Sequence, residues 1–386
     1  MSAGASDVLR PPAALGVVGS GQLGRMFLQA AQRMGYRTVV LAATAEAPAA
    51  QIAHQVVLGL PGDRRALERF ALVTEAVTVE FENVSAPALR WLDRRMPARP
   101  DWQTVWISQD RQREKSFLDE HGFPVAPWRP VRSAEELAGA VEGLGFPLIL
   151  KTSTSGYDGK GQVRIEHLEE AEPAWIALNR VACVAEAVVE FSAEVSVIVA
   201  RGLDGNAVSF PVGLNRHERH ILDSTVMPAS IGPFVSQEAR TLALSVADRL
   251  GTVGVLCVEF FLKAEGSLLI NEIAPRPHNS GHLTIEAAAT SQFEQQVRTL
   301  CGLPLGPTDL SSPSAMVNLL GDLWADGEPC WEAALQADPG VKLHLYGKRT
   351  AAPGRKMGHL TVLDRDPENA LARALAARQA LKPVSG

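Results

Sequence analysis

Short apolar runs alternate with helical patterns along the first part of the chain. Leu15, Val17 and Val18 form a run that reads as a buried strand. Beyond it, Leu23, Met26, Phe27, Ala30, Ala31 and Met34 recur at helical spacing, and Gly35 closes the pattern. The strand-like "TVVLAA" and "QVVLGL", the helix-like "RRALERFAL" and the strand-like "AVTVEFENV" carry the alternation to about Arg95. Strand and helix in turn predict an α/β unit with a parallel sheet. A helix is expected from about Ser108 to His121, stopped by Gly122, and the proline-rich "FPVAPWRPV" reads as a connector between domains.

The pattern then changes. Ser133 and Glu136 have the spacing of a capping box, opening a helix that stops near Gly143 to Gly145. "PLILKTSTSGYDGKGQVRIE" reads as strand, glycine-rich loop, strand. The β-branched runs "VACVAEAVV", "AEVSVIVARG" and "AVSFPVG" predict an antiparallel sheet over Val181 to Val212. A helix from Ser236 to Leu250 leads to "VLCVEFFL" and "SLLINEIA", two strands joined by the polar turn "KAEGS". Strands near Val341 and His359 and a helix over Pro367 to Leu381 follow.

At 386 residues the chain should hold two or three domains. With 46% hydrophobic and 21% charged residues it has the composition of a soluble globular protein. A net charge of −6 with no basic tail or stripe argues against nucleic acid as the main partner. No apolar run is long enough to span a bilayer, so no membrane partner is expected. Residues 1–12 read as a disordered lead-in and not a signal peptide. Cys183, Cys257, Cys301 and Cys330 are scattered with no C-x-x-C pair, as for reduced thiols in a cytoplasmic protein.

Several segments carry more chemistry than a scaffold needs. Gly19-Ser20-Gly21-Gln22-Leu23-Gly24 has the G-x-G-x-x-G spacing of a dinucleotide loop. The acidic residue that would hold the ribose is missing at the end of "TVVLAA", and Glu46 lies too far on. A ligand-free turn or another phosphate-bearing molecule therefore competes with NAD. In "VLCVEFFL", alternation puts Val255, Cys257, Glu259 and Phe261 on one face, and the following turn brings Glu272 within a residue or two of Glu259. Facing carboxylates repel unless a cation is shared, and Mg²⁺ beside substrate phosphates favours such oxygen ligands. The bland alternative is one edge glutamate turned to solvent.

Gly156 to Gln162 could close its amides and Lys160 over a polyphosphate, or could be an ordinary hairpin tip. Lys151, at the end of the preceding strand, favours the phosphate. "NEIAPRPHNSGH" concentrates Arg276, His278, Asn279, Ser280 and His282 just after Glu272, which suggests a substrate loop rather than a surface loop. Lys348, Arg349, Arg355, Lys356 and His359 cluster in an otherwise acidic chain, as for an anionic substrate or a solvated face.

The strand-borne lysine, glycine hairpin, paired carboxylates and N-terminal glycine loop, in this order, resemble the ATP-grasp superfamily. "GQLGRM", "EFENV", "GYDGKGQ", "NEIAPRPHNSGH" and "PGRKMGHL" together resemble the N5-carboxyaminoimidazole ribonucleotide synthetase family, from about Leu15 to Leu381. The resemblance implies an ATP-grasp fold. A Rossmann-like N-terminal domain would span 13–107, a central lid domain 108–188, and a C-terminal antiparallel-sheet domain 189–386. It implies ATP-dependent carboxylation of aminoimidazole ribonucleotide with bicarbonate in purine synthesis, by a cytoplasmic homodimer using Mg²⁺. Arg111, Lys151, Gly156, Tyr157, Asp158, Gly159, Lys160, Gly161, Gln162, Glu186, Glu194, His217, Asn271 and Glu272 would surround ATP. Glu259 and Glu272 would hold Mg²⁺. Gln22, Leu23, Glu80, Arg276, His278, Asn279, Ser280, Lys348 and Arg355 would contact the ribonucleotide or bicarbonate, with the glycine loop on the 5′-phosphate side. Asp158, Arg276 and Lys348 would serve catalysis. Formate-dependent glycinamide ribonucleotide transformylase, a nucleotide-binding regulator without catalysis, and an NAD dehydrogenase are the competing readings.

Overall fold

The computed structural model describes residues 8–156 and 159–381. Its first sheet holds β1 (Ala14–Val18), β2 (Arg37–Ala42), β3 (Gln55–Leu58) and β4 (Ala76–Val79) in the order β3-β2-β1-β4, all parallel. β1 and β4 are wholly buried, which is why their sequences are continuous apolar runs. Helix α1 (Gln22–Arg33) starts directly after the glycine loop.

A second, antiparallel sheet contains β5 (Trp128–Val131), β6 (Leu148–Thr152), β7 (Gln162–Ile165) and β8 (Cys183–Ala187), in the order β5-β8-β6-β7. The third sheet is the largest. It comprises β9 (Ala193–Arg201), β10 (Ala207–Ser209), β11 (Gly213–Glu218), β12 (Ile221–Met227), β13 (Gly254–Leu262), β14 (Leu268–Ala274), β15 (Ser314–Leu320), β16 (Lys342–Leu345) and β17 (Lys356–Leu363). Its main path runs β14-β13-β9-β11-β12-β15-β17-β16, with β10 on β9. The three sheets form an ATP-grasp fold.

Expectations change at four points. Of the lead-in read over residues 1–12, residues 8–12 are ordered: the Leu9 N–H donates to the Cys301 carbonyl (2.9 Å) and its carbonyl accepts from the Tyr36 hydroxyl (2.8 Å). The helix expected from about Ser108 to His121 runs Arg111–Glu120, and a separate helix that was not expected, Trp102–Ser108, precedes it. Asp110 separates them because its carboxylate accepts the amides of Gln112 (2.9 Å) and Arg113 (3.1 Å), an N-cap that starts a new helix. The proline-rich connector is partly strand: β5 pairs with β8, and Val125 bridges to Ile270. The strands expected in one sheet over Val181 to Val212 divide, β8 joining the second sheet and β9 and β10 the third. Strands β11 and β12 were hidden because their buried positions are polar, including Asn215, Asp223, Ser224 and Thr225.

The first and third sheets are joined by one apolar core. Phe27 and Leu28 of α1 pack with Phe293, Val297 and Leu300 of the helix Gln292–Cys301 and with Tyr346. This shared core fixes the glycine loop relative to the C-terminal loops.

Candidate functional site

β13 buries Val258 and Phe260 against the helix Pro233–Leu250, so Glu259 points to the opposite face. Glu259 lies directly opposite Glu272 in the β13–β14 ladder. The register then breaks: Phe260 faces Ile270, leaving Asn271 as the extra residue of a bulge. A bulge at this point re-aims the neighbouring side chains. Glu259 Oε1 is buried without a hydrogen-bond partner, and the His278 imidazole Nδ1 lies 3.6 Å away. Burial and then the Glu272 charge push its pKa up. An orphaned carboxylate oxygen beside a second carboxylate fits a divalent cation. Among the described residues no three His, Cys, Asp or Glu side chains converge on one point, so substrate oxygens would complete any such shell.

Next to this pair, Glu186 of β8 receives two ammonium groups. Lys151 Nζ is 3.0 Å from Oε2 and Lys115 Nζ 3.4 Å from Oε1. Burial raises the Glu186 pKa, but Lys115 and Lys151 outweigh it and take it to about 2. Lys151 moves the other way from the usual pair, its pKa lowered by burial despite Glu186. The two directions agree once the charges are counted. Two ammonium groups share one carboxylate, which leaves positive charge for an anion to complete. Arg111 donates to Glu272 Oε2 (3.3 Å) and lies 3.4 Å from the Gly156 carbonyl. Glu114 is buried, and burial followed by Glu272 pushes it up to about 8.

The glycine hairpin is closed by Thr152 N–H donating to the Gly161 carbonyl (2.8 Å), and Gln162 lies opposite Lys151. Gly159 and Gly161 have φ of +75° and +74°, conformations that favour glycine. Gly156, Gly159, Lys160, Gly161 and Gln162 thus line the hairpin as expected; Tyr157 and Asp158 lie outside the described residues. On the neighbouring strands, His217 Nδ1 is 2.7 Å from Glu194 Oε2, at a second register break in β11. That carboxylate raises the His217 pKa against the lowering effect of burial.

After β14, Arg276 forms a two-pronged pair with Glu82, at 2.5 Å and 3.3 Å. Burial would raise the Glu82 pKa, but the guanidinium more than offsets it and holds it below the ordinary range. His278 is held neutral, chiefly by burial and then by the Arg276 charge. The side chains of Asn279 and Ser280 are engaged inside the protein. The Asn279 amide exchanges hydrogen bonds with Asn318 (3.1 and 2.7 Å), and the fully buried Ser280 hydroxyl sits 2.9 Å from both Ser196 Oγ and His278 Nδ1. Their side chains fix the loop from inside.

The glycine loop is tied to an acidic side chain of the protein itself. The Glu80 carboxylate accepts the amides of Gly21 (2.5 Å) and Gly24 (2.8 Å), so an internal anion already occupies these donors. A phosphate on this side would depend on other groups. Gln22 and Leu23 stand half-buried at the start of α1. Lys348 Nζ donates to the Lys356 carbonyl (2.5 Å), and its charge acts on Glu80. Arg355 is exposed and donates to the Thr350 carbonyl (2.7 Å).

Sequence reasoning missed Lys115, Glu114 and Glu82. For Lys115 a signal existed: it follows Arg111 by four positions and shares its helix face.

Three family models match in order. They are the ribonucleotide synthetase preATP-grasp domain at residues 13–109, the ATP-grasp domain at 116–293, and the phosphoribosylaminoimidazole carboxylase C-terminal domain at 314–373. N5-carboxyaminoimidazole ribonucleotide synthase of Bacillus subtilis is 41% identical over 363 residues, 94% of each chain. The Brucella melitensis synthase is 44% identical over 355 residues, covering 92% of this chain and 97% of its own. A solved ADP complex of N5-carboxyaminoimidazole ribonucleotide synthetase superposes with a TM-score of 0.91 at 40% identity, over 96% of this chain and 98% of the other. The Aspergillus clavatus synthase, in complex with ADP and 5-aminoimidazole ribonucleotide, gives 0.84 at 30% identity, over 96% and 99%.

Proposed function

The chain belongs to the N5-carboxyaminoimidazole ribonucleotide synthase family of ATP-grasp ligases, and we propose from this premise which residues perform its chemistry. The enzyme makes N5-carboxyaminoimidazole ribonucleotide from aminoimidazole ribonucleotide and bicarbonate at the expense of ATP, in purine biosynthesis. The observation that carries the residue-level reading is that Arg111 pairs with Glu272, opposite Glu259, and lies within electrostatic reach of Glu186, the carboxylate shared by Lys115 and Lys151.

ATP lies between the second and third sheets, its phosphates near Lys151, Arg111 and the hairpin amides. Glu259 and Glu272 would hold Mg²⁺, which when bound would offset phosphate charge. A bicarbonate oxygen attacks the γ-phosphorus and ADP leaves, giving carboxyphosphate. Arg276, oriented by Glu82, and the neutral His278 hold this anion by charge and hydrogen bonding. The substrate amine then attacks its carbonyl carbon, phosphate departs with the C–O electron pair, and the nitrogen gives its proton to the departing phosphate. The hairpin excludes water from this short-lived anhydride. Lys348, Arg355, Gln22, Leu23 and Glu80 face the ribonucleotide, with Asn279 and Ser280 as positioning residues. The three sheets support domains at 13–107, 108–188 and 189–386, with a homodimer in the cytoplasm as the working state.

The test is ADP release with each substrate pair. Aminoimidazole ribonucleotide plus bicarbonate should drive it and glycinamide ribonucleotide plus formate should not. Equal turnover with the second pair would move the assignment to the transformylase. Sedimentation of the same preparation checks the dimer.

A further inference from the structure

We propose that Gln51, held by Arg25, is a positioning residue that sets Lys348 at the ribonucleotide site by clamping the Gly347 peptide. The inference rests on the reading of Lys348 as a ribonucleotide contact. Gln51 Nε2 donates to the Gly347 carbonyl (2.7 Å) and to the Glu46 carbonyl (2.8 Å). Gln51 Oε1 accepts from Arg25 Nη1 (2.9 Å), and the same nitrogen donates to the Pro48 carbonyl (2.9 Å). Both amide hydrogens and the oxygen are thus used, which leaves the amide a single orientation.

The contact joins distant parts of the chain. Arg25 lies in the first turn of α1, just past Gln22 and Leu23, whereas Gly347 precedes Lys348 on the C-terminal loop. Gly347 has φ +73°, and a Cβ there would collide with Gln51 and crowd Arg25. The backbone therefore approaches the clamp as only glycine allows. Immediately on either side the loop is anchored. The Tyr346 hydroxyl meets His359 Nδ1 at 2.9 Å, and Lys348 Nζ donates to the Lys356 carbonyl at 2.5 Å above the Tyr346 ring. The clamp fixes the remaining peptide, and so the spacing between the α1 start and Lys348.

Gln51 is exposed, so its replacement should leave folding intact. Gln51→Glu is nearly isosteric, but it puts carboxylate oxygens against two carbonyls and reverses the clamp. We expect its KM for aminoimidazole ribonucleotide to rise roughly 5- to 10-fold, the scale of lost hydrogen bonds, with KM for ATP unchanged. Gln51→Ala should give a smaller rise of the same kind. The deciding measurement is a cycle with Lys348→Met, which by itself must raise the ribonucleotide KM. Because the clamp acts through Lys348, adding Gln51→Glu to Lys348→Met should cost nothing further. Multiplying effects, or a Gln51→Glu enzyme with the parent's ribonucleotide KM, would overturn the clamp while leaving Lys348 at the site. A Lys348→Met enzyme with unchanged ribonucleotide KM would instead remove the underlying reading, and the clamp's purpose with it.

Discussion

At the scale of single residues, Glu272 has the sharpest consequence. It faces Glu259 across the ladder and touches Arg111, and its side chain is 37% exposed. Glu272→Gln keeps the shape and removes one charge from the proposed Mg²⁺ site, so kcat should fall by at least ~10²-fold, the loss typical of one electrostatic stabiliser. Melting temperature should barely move, since relief of the Glu259 repulsion offsets a half-exposed pair with Arg111. Near-normal turnover at ordinary Mg²⁺ would make Glu272 a structural residue. Glu259, Glu272 and Lys151 were legible because a charge inside an apolar strand is an anomaly. Glu114 was not, because charges on a helix look like a solvated face until a partner sheet covers them, and Lys115 had only its spacing from Arg111 to mark it. Asn279 and Ser280 turn their side chains into hydrogen bonds within the protein. A polar loop reveals its chemistry but not which of its side chains turn inward.

At the scale of elements, the site gathers around irregularities. Register breaks fall at His217 in β11, at Asn271 in β14, and between β15 and β17 beside Lys356. The strands themselves could be read from alternation, but a bulge depends on which residue of the partner strand it faces, and one sequence does not contain that pairing. The hairpin between β6 and β7 was readable because its glycines are dense. Its resting place was not. Gly159 lies against the turn between β11 and β12, where Arg219 and His220 themselves adopt φ of +51° and +64°. A Cβ at Gly159 would come within 2.6 Å of the His220 Cβ and would also strain a left-handed backbone. Gly159→Ala should therefore hinder hairpin closure, raising KM for ATP by about tenfold, the equivalent of ~1–2 kcal/mol, with little change in melting. Unchanged nucleotide kinetics would show that the hairpin does not need this contact to close.

At the scale of the whole molecule, the core shared by the first and third sheets is bordered by buried histidines rather than by hydrocarbon alone. His282 packs against Phe293 of that core, and His359 stacks on His344 at 4.4 Å while meeting the Tyr346 hydroxyl. Burial, and then neighbouring histidines, hold the pKa values of His282 and His359 well below the ordinary range. His359 Nε2 has no hydrogen-bond partner, so nothing nearby rewards a second proton. The sign follows directly. A histidine whose folded pKa is depressed stabilises the fold fully above its unfolded pKa of about 6.5, and loses that contribution as pH falls below it. The unfolded chain takes up protons that the fold refuses. Each such group steepens the loss by about 1.4 kcal/mol per pH unit, so two give about 2.7, a large share of an ordinary domain's 5–15 kcal/mol. His278 shifts in the same direction and adds to the slope. The urea midpoint should therefore hold between pH 8 and 7 and drop steeply from about pH 6.5 to 5. His359→Asn removes one titrating group, so its stability should fall less steeply over the acid range, whatever its starting value at neutral pH. If the variant's midpoint falls with acid as steeply as the parent's, His359 is not a source of the pH dependence, and carboxylate protonation would have to account for it.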